Sequence, residues 1–363
     1  MSVEARLREL ADRDLADWPT MPSRSVHVLA PGRGVDVEVA VGVADTATGA
    51  PAVPGSRFRI ASVTKPFVAA ATLRLVEEGR FGLDDPIAGL LGDGSVSLLR
   101  EGGYDPDAIT VRHLLTHTSG IVDFAADAYD PSIDGFTKAV YADPRHRWTR
   151  EEQVRFAMTH GRPYGAPGTV FGYSDTGACL AGEIVERATL TTMGAAIREL
   201  VGYERLGLRT TWQETIEPEP ADLPPLSHQY EGAWDVADFD ASVDLYGGGG
   251  LMSTCADLAR FLRGLFAGTV FRDEATLATM TTTVDVPLAE GVGDDDDPRA
   301  AAMYLFRAHR GGHVWWGHAG YWGTTAYTCP SLDVTVVACH QRSDMPTGFD
   351  RLRILADVLD VVG

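Results

Sequence analysis

The sequence predicts an α/β protein in which strands from both chain ends share one sheet, flanked by helices and set beside a mostly helical lobe. Three observations predict it. Hydrophobic residues alternate at period two over residues 25–43 and again beyond residue 300, as strands with one buried face do. Between about 80 and 300 they recur instead at helical spacing. The chain has 363 residues, 45% hydrophobic and 23% charged, which suits a folded, two-lobed unit with a sizeable core.

The elements follow in chain order. MSVEARLRELADRDLADW mixes acids with arginines and lacks the apolar core of ~7–15 residues that an export signal carries. It reads as a surface helix within residues 1–23. SVHVLA and VDVEVAVGVA flank PGRG, the pattern of two strands joined by a hairpin turn. FRIASVTKPFVAAATLRLVEEGR then reads as a helix stopping at Gly79, with Ser62 where it begins. Residues 24–79 and 300–363 thus form a sheet-containing lobe, and 80–299 the mostly helical one. In the latter, LDDPIAGLLG, ITVRHLLTHTSG, EEQVRFAMTHG, GACLAGEIVERA and STCADLARFLRGLFAG are short amphipathic segments. Two irregular stretches, 123–147 and 213–246, are long enough to be lids or binding loops. The run Asp294–Asp297 reads as a solvated loop. Beyond 300, HVWWG, TTAYTC and DVTVVACH read as strands and TGFDRLRILADVLDVV as a closing helix.

Charge narrows the function. Lys and Arg total 31 against 51 Asp and Glu, a net charge of −20, which repels phosphate backbones and anionic lipid surfaces. No apolar run reaches the ~18–20 residues a bilayer-spanning helix needs, so a cytoplasmic protein with no nucleic-acid or membrane partner is expected. Cys179, Cys255, Cys329 and Cys339 are widely spaced, without a zinc-ribbon or redox pair, and read as buried thiols. Only two of the basic residues are lysines, Lys65 and Lys138, and the chain has no asparagine. GC-rich coding and high-salt adaptation both produce such a bias. Either way, arginine replaces lysine almost anywhere except where an amine must release a proton.

That points to Ser62-Val63-Thr64-Lys65. Residues three apart on a helix lie ~5–6 Å apart at Cβ, so the amine reaches the hydroxyl, and a desolvated lysine can take the serine proton. The alternative makes Ser62 a helix cap and Lys65 a solvent-facing charge. Tyr173-Ser174-Asp175 adds a phenol and a carboxylate at a loop tip before a helix, and His318-Ala319-Gly320 opens a strand where glycine lets substrate approach the backbone.

These three elements resemble the signatures S-x-x-K, Y-x-N and H-x-G of the serine β-lactamase and penicillin-recognising superfamily. The branch most similar is that of class C β-lactamase-related esterases, D-aminopeptidases and D-alanyl-D-alanine carboxypeptidases. LDDPIAGLL, ITVRHLLTHTSGI, GAPGTVFGYSDTGACLAGEIVE and GGGGLMSTCADLARFL also look like family segments in family order, over residues 25–345. The resemblance implies a β-lactamase-like fold with an antiparallel sheet and the active site between the lobes. It implies Ser62 as acylated nucleophile and Lys65 as its proton acceptor or electrostatic partner. Tyr173 would exchange protons with Ser62 and the leaving group, its phenol lowered by Lys65. His318 would orient substrate, and the N–H groups of Ser62 and Tyr321, after Gly320, would form the oxyanion hole. Asp175 stands where the family commonly has Asn; its charge favours a protonated Lys65 and removes an amide donor, which weighs against β-lactam hydrolysis more than against ester cleavage.

Other signals are weaker. His113 and His117 are four apart and could share a zinc ion, but the glutamate of H-E-x-x-H is absent. Gly247–Gly250 has no G-K-[ST] after it and reads as a bend before a helix. No G-x-S-x-G occurs. Trp315, Trp316, Tyr321 and Trp322 crowd the third motif, as core or as an acyl pocket. The expected protein is a serine hydrolase without metal or cofactor, acting on a small ester or amide through an acyl-enzyme. D-aminopeptidase or D,D-carboxypeptidase, acyltransferase and a non-catalytic sensor are the alternatives, and oligomeric state is left open.

Overall fold

The structure is a computed structural model that describes residues 1–125, 135–290 and 300–363. The run Asp294–Asp297 and part of the 123–147 stretch lie outside the described residues. Twelve strands are described: β1 (Ser23–Ala30), β2 (Val35–Asp45), β3 (Ala50–Pro51), β4 (Arg57–Arg59), β5 (Trp212–Gln213), β6 (Tyr230–Glu231), β7 (Trp234–Asp235), β8 (Leu251–Thr254), β9 (Phe306–Arg310), β10 (His313–Gly320), β11 (Thr324–Cys329) and β12 (Val334–Cys339).

The main sheet runs β3-β2-β1-β12-β11-β10-β9, every neighbouring pair antiparallel. Its centre is the pairing of β1 with β12, Val28 opposite Val336, so the two chain ends meet there. Valine alternation is the local cause, since branched side chains pack well on a pleated face. One face is covered by the helices Val3–Asp17 and Arg353–Val362, whose Leu7, Leu10, Ile354, Leu355 and Val358 pack on Val26, Val28 and Val336. The other face, with Ala326, Val337 and Cys339, packs with Phe67 of the helix Thr64–Glu77 and Phe261 of the helix Cys255–Phe266.

The central stretch is less purely helical than its periodicity suggests. Leu251–Thr254 is a strand, paired with β4 on one side and β5 on the other. The Gly247–Gly250 bend therefore precedes a strand, not the helix itself. LDDPIAGLLG forms only a short 3-10 turn at Ile87–Gly89, and the helix in ITVRHLLTHTSG stops at Leu115. Within 213–246 lies the β6–β7 hairpin, and within 123–147 the helix Phe136–Ala142. The strand β9 escapes sequence reading because FRAHR carries arginines where alternation needs apolar residues; pairing with β10 decides it. Among the described residues no helix is long and apolar enough to cross a membrane.

Candidate active site

The sequence pattern starts the helix at Ser62, whereas the structure starts it two residues later. Ala61–Val63 is a 3-10 turn and the α-helix begins at Thr64. Ala61 has φ 47°, a left-handed conformation that costs a non-glycine residue about 1–3 kcal/mol and is found at functional turns. The helix then carries Lys65 into the interior, where it has no solvent exposure. The solvent-facing alternative for Lys65 is thereby excluded. Its Nζ donates to Ser62 Oγ at 2.9 Å, to the carbonyl oxygen of Gly248 at 2.7 Å, and to Asp175 Oδ1.

An ammonium has three N–H donors and no acceptor, and each of these donors meets an oxygen. Burial by itself depresses Lys65, but the charge of Asp175, the Tyr173 phenol and their hydrogen bonds outweigh it, so the amine is held well above its ordinary range. The uncharged amine that a lysine base requires is thus corrected toward the protonated Lys65 that the charge of Asp175 favours. Tyr173 interacts with both Ser62 and Lys65, whose Nζ lies 4.8 Å from the ring centroid. Desolvation drives this phenol upward and Lys65 only partly offsets it. The lowered phenol is corrected as well.

Tyr173 and Asp175 come from one junction. Ser174 caps the helix Asp175–Thr189 by accepting from the N–H of Gly177, which leaves the residues on either side aimed at Lys65. Gly248 reaches Lys65 because the glycine run lets the backbone close in. A Cβ on Gly249 would stand 2.0 Å from Asp244 Oδ1, and one on Gly248 2.7 Å from Asp175 Oδ1.

His318 and Gly320 close β10; they do not open it. Gly320 serves backbone packing: a Cβ there would stand 2.4 Å from the Ile60 carbonyl oxygen, so the missing side chain is what brings this strand end against the turn carrying Ser62. Gly320→Ala is expected to cost roughly 1–3 kcal/mol by overpacking and to lower turnover by moving Tyr321 away from Ser62; thermal midpoint and initial rate should fall together. His318 donates from Nδ1 to the Ala319 carbonyl at 2.6 Å, and burial pushes it down to about 3. It is a neutral ring here.

Ser62, Tyr173, Asp175, His318, Tyr321 and Trp322 line a cavity of about 1000 Å³. Tyr321 is exposed and donates from its hydroxyl to Glu231 at 2.6 Å. Trp315 is buried in the face under the terminal helices and Trp316 stacks on Phe266, so those two are core and only the later pair faces the cavity. His113 caps its own helix, whereas His117 lies beyond that helix with φ 54°; the two do not share a helix face. Among the described residues no cluster of metal-ligating side chains occurs.

Three residues have places at the site that sequence reading did not assign. His117 stacks on Tyr173 at 4.4 Å between centroids and accepts from the Ser174 N–H at 3.1 Å, bracing the phenol. Asp123 and Asp244 line the same cavity; burial, then the charge of Asp175, pushes them up to about 8 and about 7. Their only signal is proximity in space, since they sit on the two irregular stretches.

A turn-borne serine and a tyrosine on one cavity wall, with a buried lysine bonded behind them, are the arrangement of a serine hydrolase. The chain belongs to the Beta-lactamase family, whose description it matches over residues 13–360. Esterase EstB of Burkholderia gladioli is 28% identical over 93% of this chain and 90% of its own length. A solved D-stereospecific amidohydrolase from Streptomyces sp. superposes with a TM-score of 0.78 at 26% identity, covering 97% of both chains. The D-amino acid amidase from Ochrobactrum anthropi SV3 shares the fold, with a TM-score of 0.78 at 23% identity over 99% of this chain and 97% of that one.

Proposed function

We propose that the protein hydrolyses a small ester or amide through an acyl-enzyme on Ser62. The observation that carries this reading is the 2.9 Å hydrogen bond between Lys65 Nζ and Ser62 Oγ, with Tyr173 interacting with both, at the wall of an open cavity. Ser62 attacks the carbonyl carbon, and its proton leaves toward Lys65. The N–H groups of Ser62 and Tyr321 stabilise the oxyanion, a contribution of roughly 3–4 kcal/mol per donor; the close packing of Gly320 on Ile60 supports the pairing. Tyr173 passes a proton to the leaving group, and water then releases the acid. No metal or cofactor takes part in this scheme.

Phe124, Phe136, Val140 and Phe239 give the cavity an apolar arm for the acyl group. Carboxylesterase or amidase action is the first reading, in line with the esterase relative. D-aminopeptidase or D-amino-acid amide hydrolysis is the second, favoured by the D-stereospecific amidohydrolase among the structural neighbours. Acyl transfer needs only an alcohol or amine in place of water. We also propose a cytoplasmic setting, supported by four cysteines that are all free and buried, as in a reducing compartment. The test is a fluorophosphonate probe together with p-nitrophenyl esters, D- and L-amino-acid p-nitroanilides and nitrocefin. Labelling of wild type but not of Ser62→Ala supports the acyl-enzyme, and an unlabelled wild type overturns it. Ester or anilide turnover exceeding nitrocefin turnover supports the substrate class, and the reverse order refutes it.

A further inference from the structure

The resting site poses a problem of proton accounting. Ser62 must lose a proton, yet Lys65 is already an ammonium with its three donors occupied by Ser62 Oγ, Asp175 Oδ1 and the Gly248 carbonyl, and an ammonium accepts nothing. One of the three oxygens lies on a group able to take a proton in exchange: the carboxylate of Asp175. The Gly248 carbonyl cannot do so; it holds the remaining N–H at 2.7 Å.

We propose that Asp175 is the terminal acceptor of the Ser62 proton, acting through Lys65, so that serine, lysine and aspartate form a relay in this chain. The inference rests on the acyl-enzyme reading above. In the acylation step one Nζ proton first moves to Asp175 Oδ1, which frees a lone pair on the amine. The Ser62 proton then moves to that lone pair while Oγ bonds to the carbonyl carbon, and the carbonyl π pair becomes the oxyanion. Lysine is an ammonium before and after the step and a neutral amine only within it. On collapse the oxyanion re-forms the carbonyl, the bond to the leaving group breaks, and the leaving group takes a proton from the Tyr173 hydroxyl. Tyr173 is reprotonated from Lys65, which recovers its proton from Asp175; no net charge is left behind. Deacylation runs the same relay with water in place of Ser62. Asp175 touches Lys65 and not the reacting atoms, so it is a positioning residue in the strict sense.

The charged and titratable groups around Asp175 are Lys65 from the buried helix, Tyr173 and Cys179 from its own segment, Asp123 and Tyr164 from the loops across the cavity, Asp244 beside the glycine run, and Tyr304. Neutral His117 and His318 stand nearest Lys65 on the remaining sides. Lys65 is the one basic side chain in this set that is charged at neutral pH, which ties its protonation to that of Asp175.

The sign of the pH dependence separates the relay from a lone lysine base. In the relay, activity persists at pH values where Lys65 is fully protonated, because Asp175 takes the Nζ proton. With lysine alone, activity needs a neutral amine and is lost as pH falls through the much higher lysine range. The experiment is the pH profile of fluorophosphonate labelling at Ser62, measured on wild type and on Asp175→Asn with folding checked by near-ultraviolet circular dichroism. Wild-type labelling is expected to persist below pH ~8, and Asp175→Asn moves its acid limb upward by more than ~1 unit, because the amide leaves Lys65 as sole base. A wild-type limb above pH ~8, or superimposable profiles for the two proteins, overturns the relay. The wild-type limb decides the question even if the variant fails to fold. Absence of any Ser62-dependent labelling would instead sink the acyl-enzyme reading on which the relay stands.

Discussion

Ser62→Ala is expected to reduce turnover by roughly 10⁵–10⁶-fold, the loss seen when the nucleophile of a concerted catalytic unit is removed. The structural reason is that among the described residues Ser62 is the one serine or threonine hydroxyl bonded to the Lys65 ammonium, and it lies on the cavity wall. The substitution removes one oxygen at a partly exposed position, and Lys65 keeps Asp175 and the Gly248 carbonyl as partners. The fold should therefore survive, with a circular dichroism spectrum and thermal midpoint close to wild type. Initial rates on the best ester of the panel check the prediction; retention of more than ~1% of wild-type turnover would place the chemistry elsewhere, given that a nucleophile deletion normally leaves far less.

Lys65→Met is expected to cost ~10³-fold or more in turnover and to lower stability by about 3 kcal/mol, the range for breaking a buried ion pair from one side. Methionine matches the length of lysine, so packing is nearly conserved. The charge is not, and Asp175, with its side chain only 20% exposed, is left beside Asp123 and Asp244 without its cation. Chemical denaturation checks the stability, and steady-state rates check the turnover. Combining Lys65→Met with Asp175→Asn should recover much of the stability and none of the activity, because the stranded charge is then gone while the relay stays broken. Lysine to arginine, the gentler change on paper, is harsher here. The larger guanidinium must enter a site already filled by Ser62, Asp175, Gly248 and the Tyr173 ring, and overpacking of this kind is itself destabilising.

The legible part of the site is the part held by short-range geometry. Ser62 and Lys65 are three residues apart at a helix start, and Tyr173 and Asp175 flank one helix cap; their residue types and spacing are written in the chain. The charge state is not. A lysine reads as a base or a cation depending on the groups folded around it, and Asp175 and Gly248 reach Lys65 from 110 and 183 residues away. His117 read as a possible metal ligand because spacing alone suggested a helix face, whereas the helix ends two residues earlier and the ring stacks on Tyr173. His318 read as the start of a strand because the apolar run HVWWG hides where pairing stops; the ladder with β11 continues through Gly320.

What this sequence determined by itself is the alternation of strand and helix, the meeting of the two chain ends in one sheet, and the serine, lysine and tyrosine that the fold brings together. Each follows from local periodicity or from residue chemistry at close spacing. Tertiary structure alone decided that the lysine is fully buried against three oxygens, that two further aspartates and a histidine crowd its surroundings, and that Gly320 serves backbone packing. Those properties depend on the dielectric and on the neighbours that distant segments supply, and a one-dimensional string carries neither.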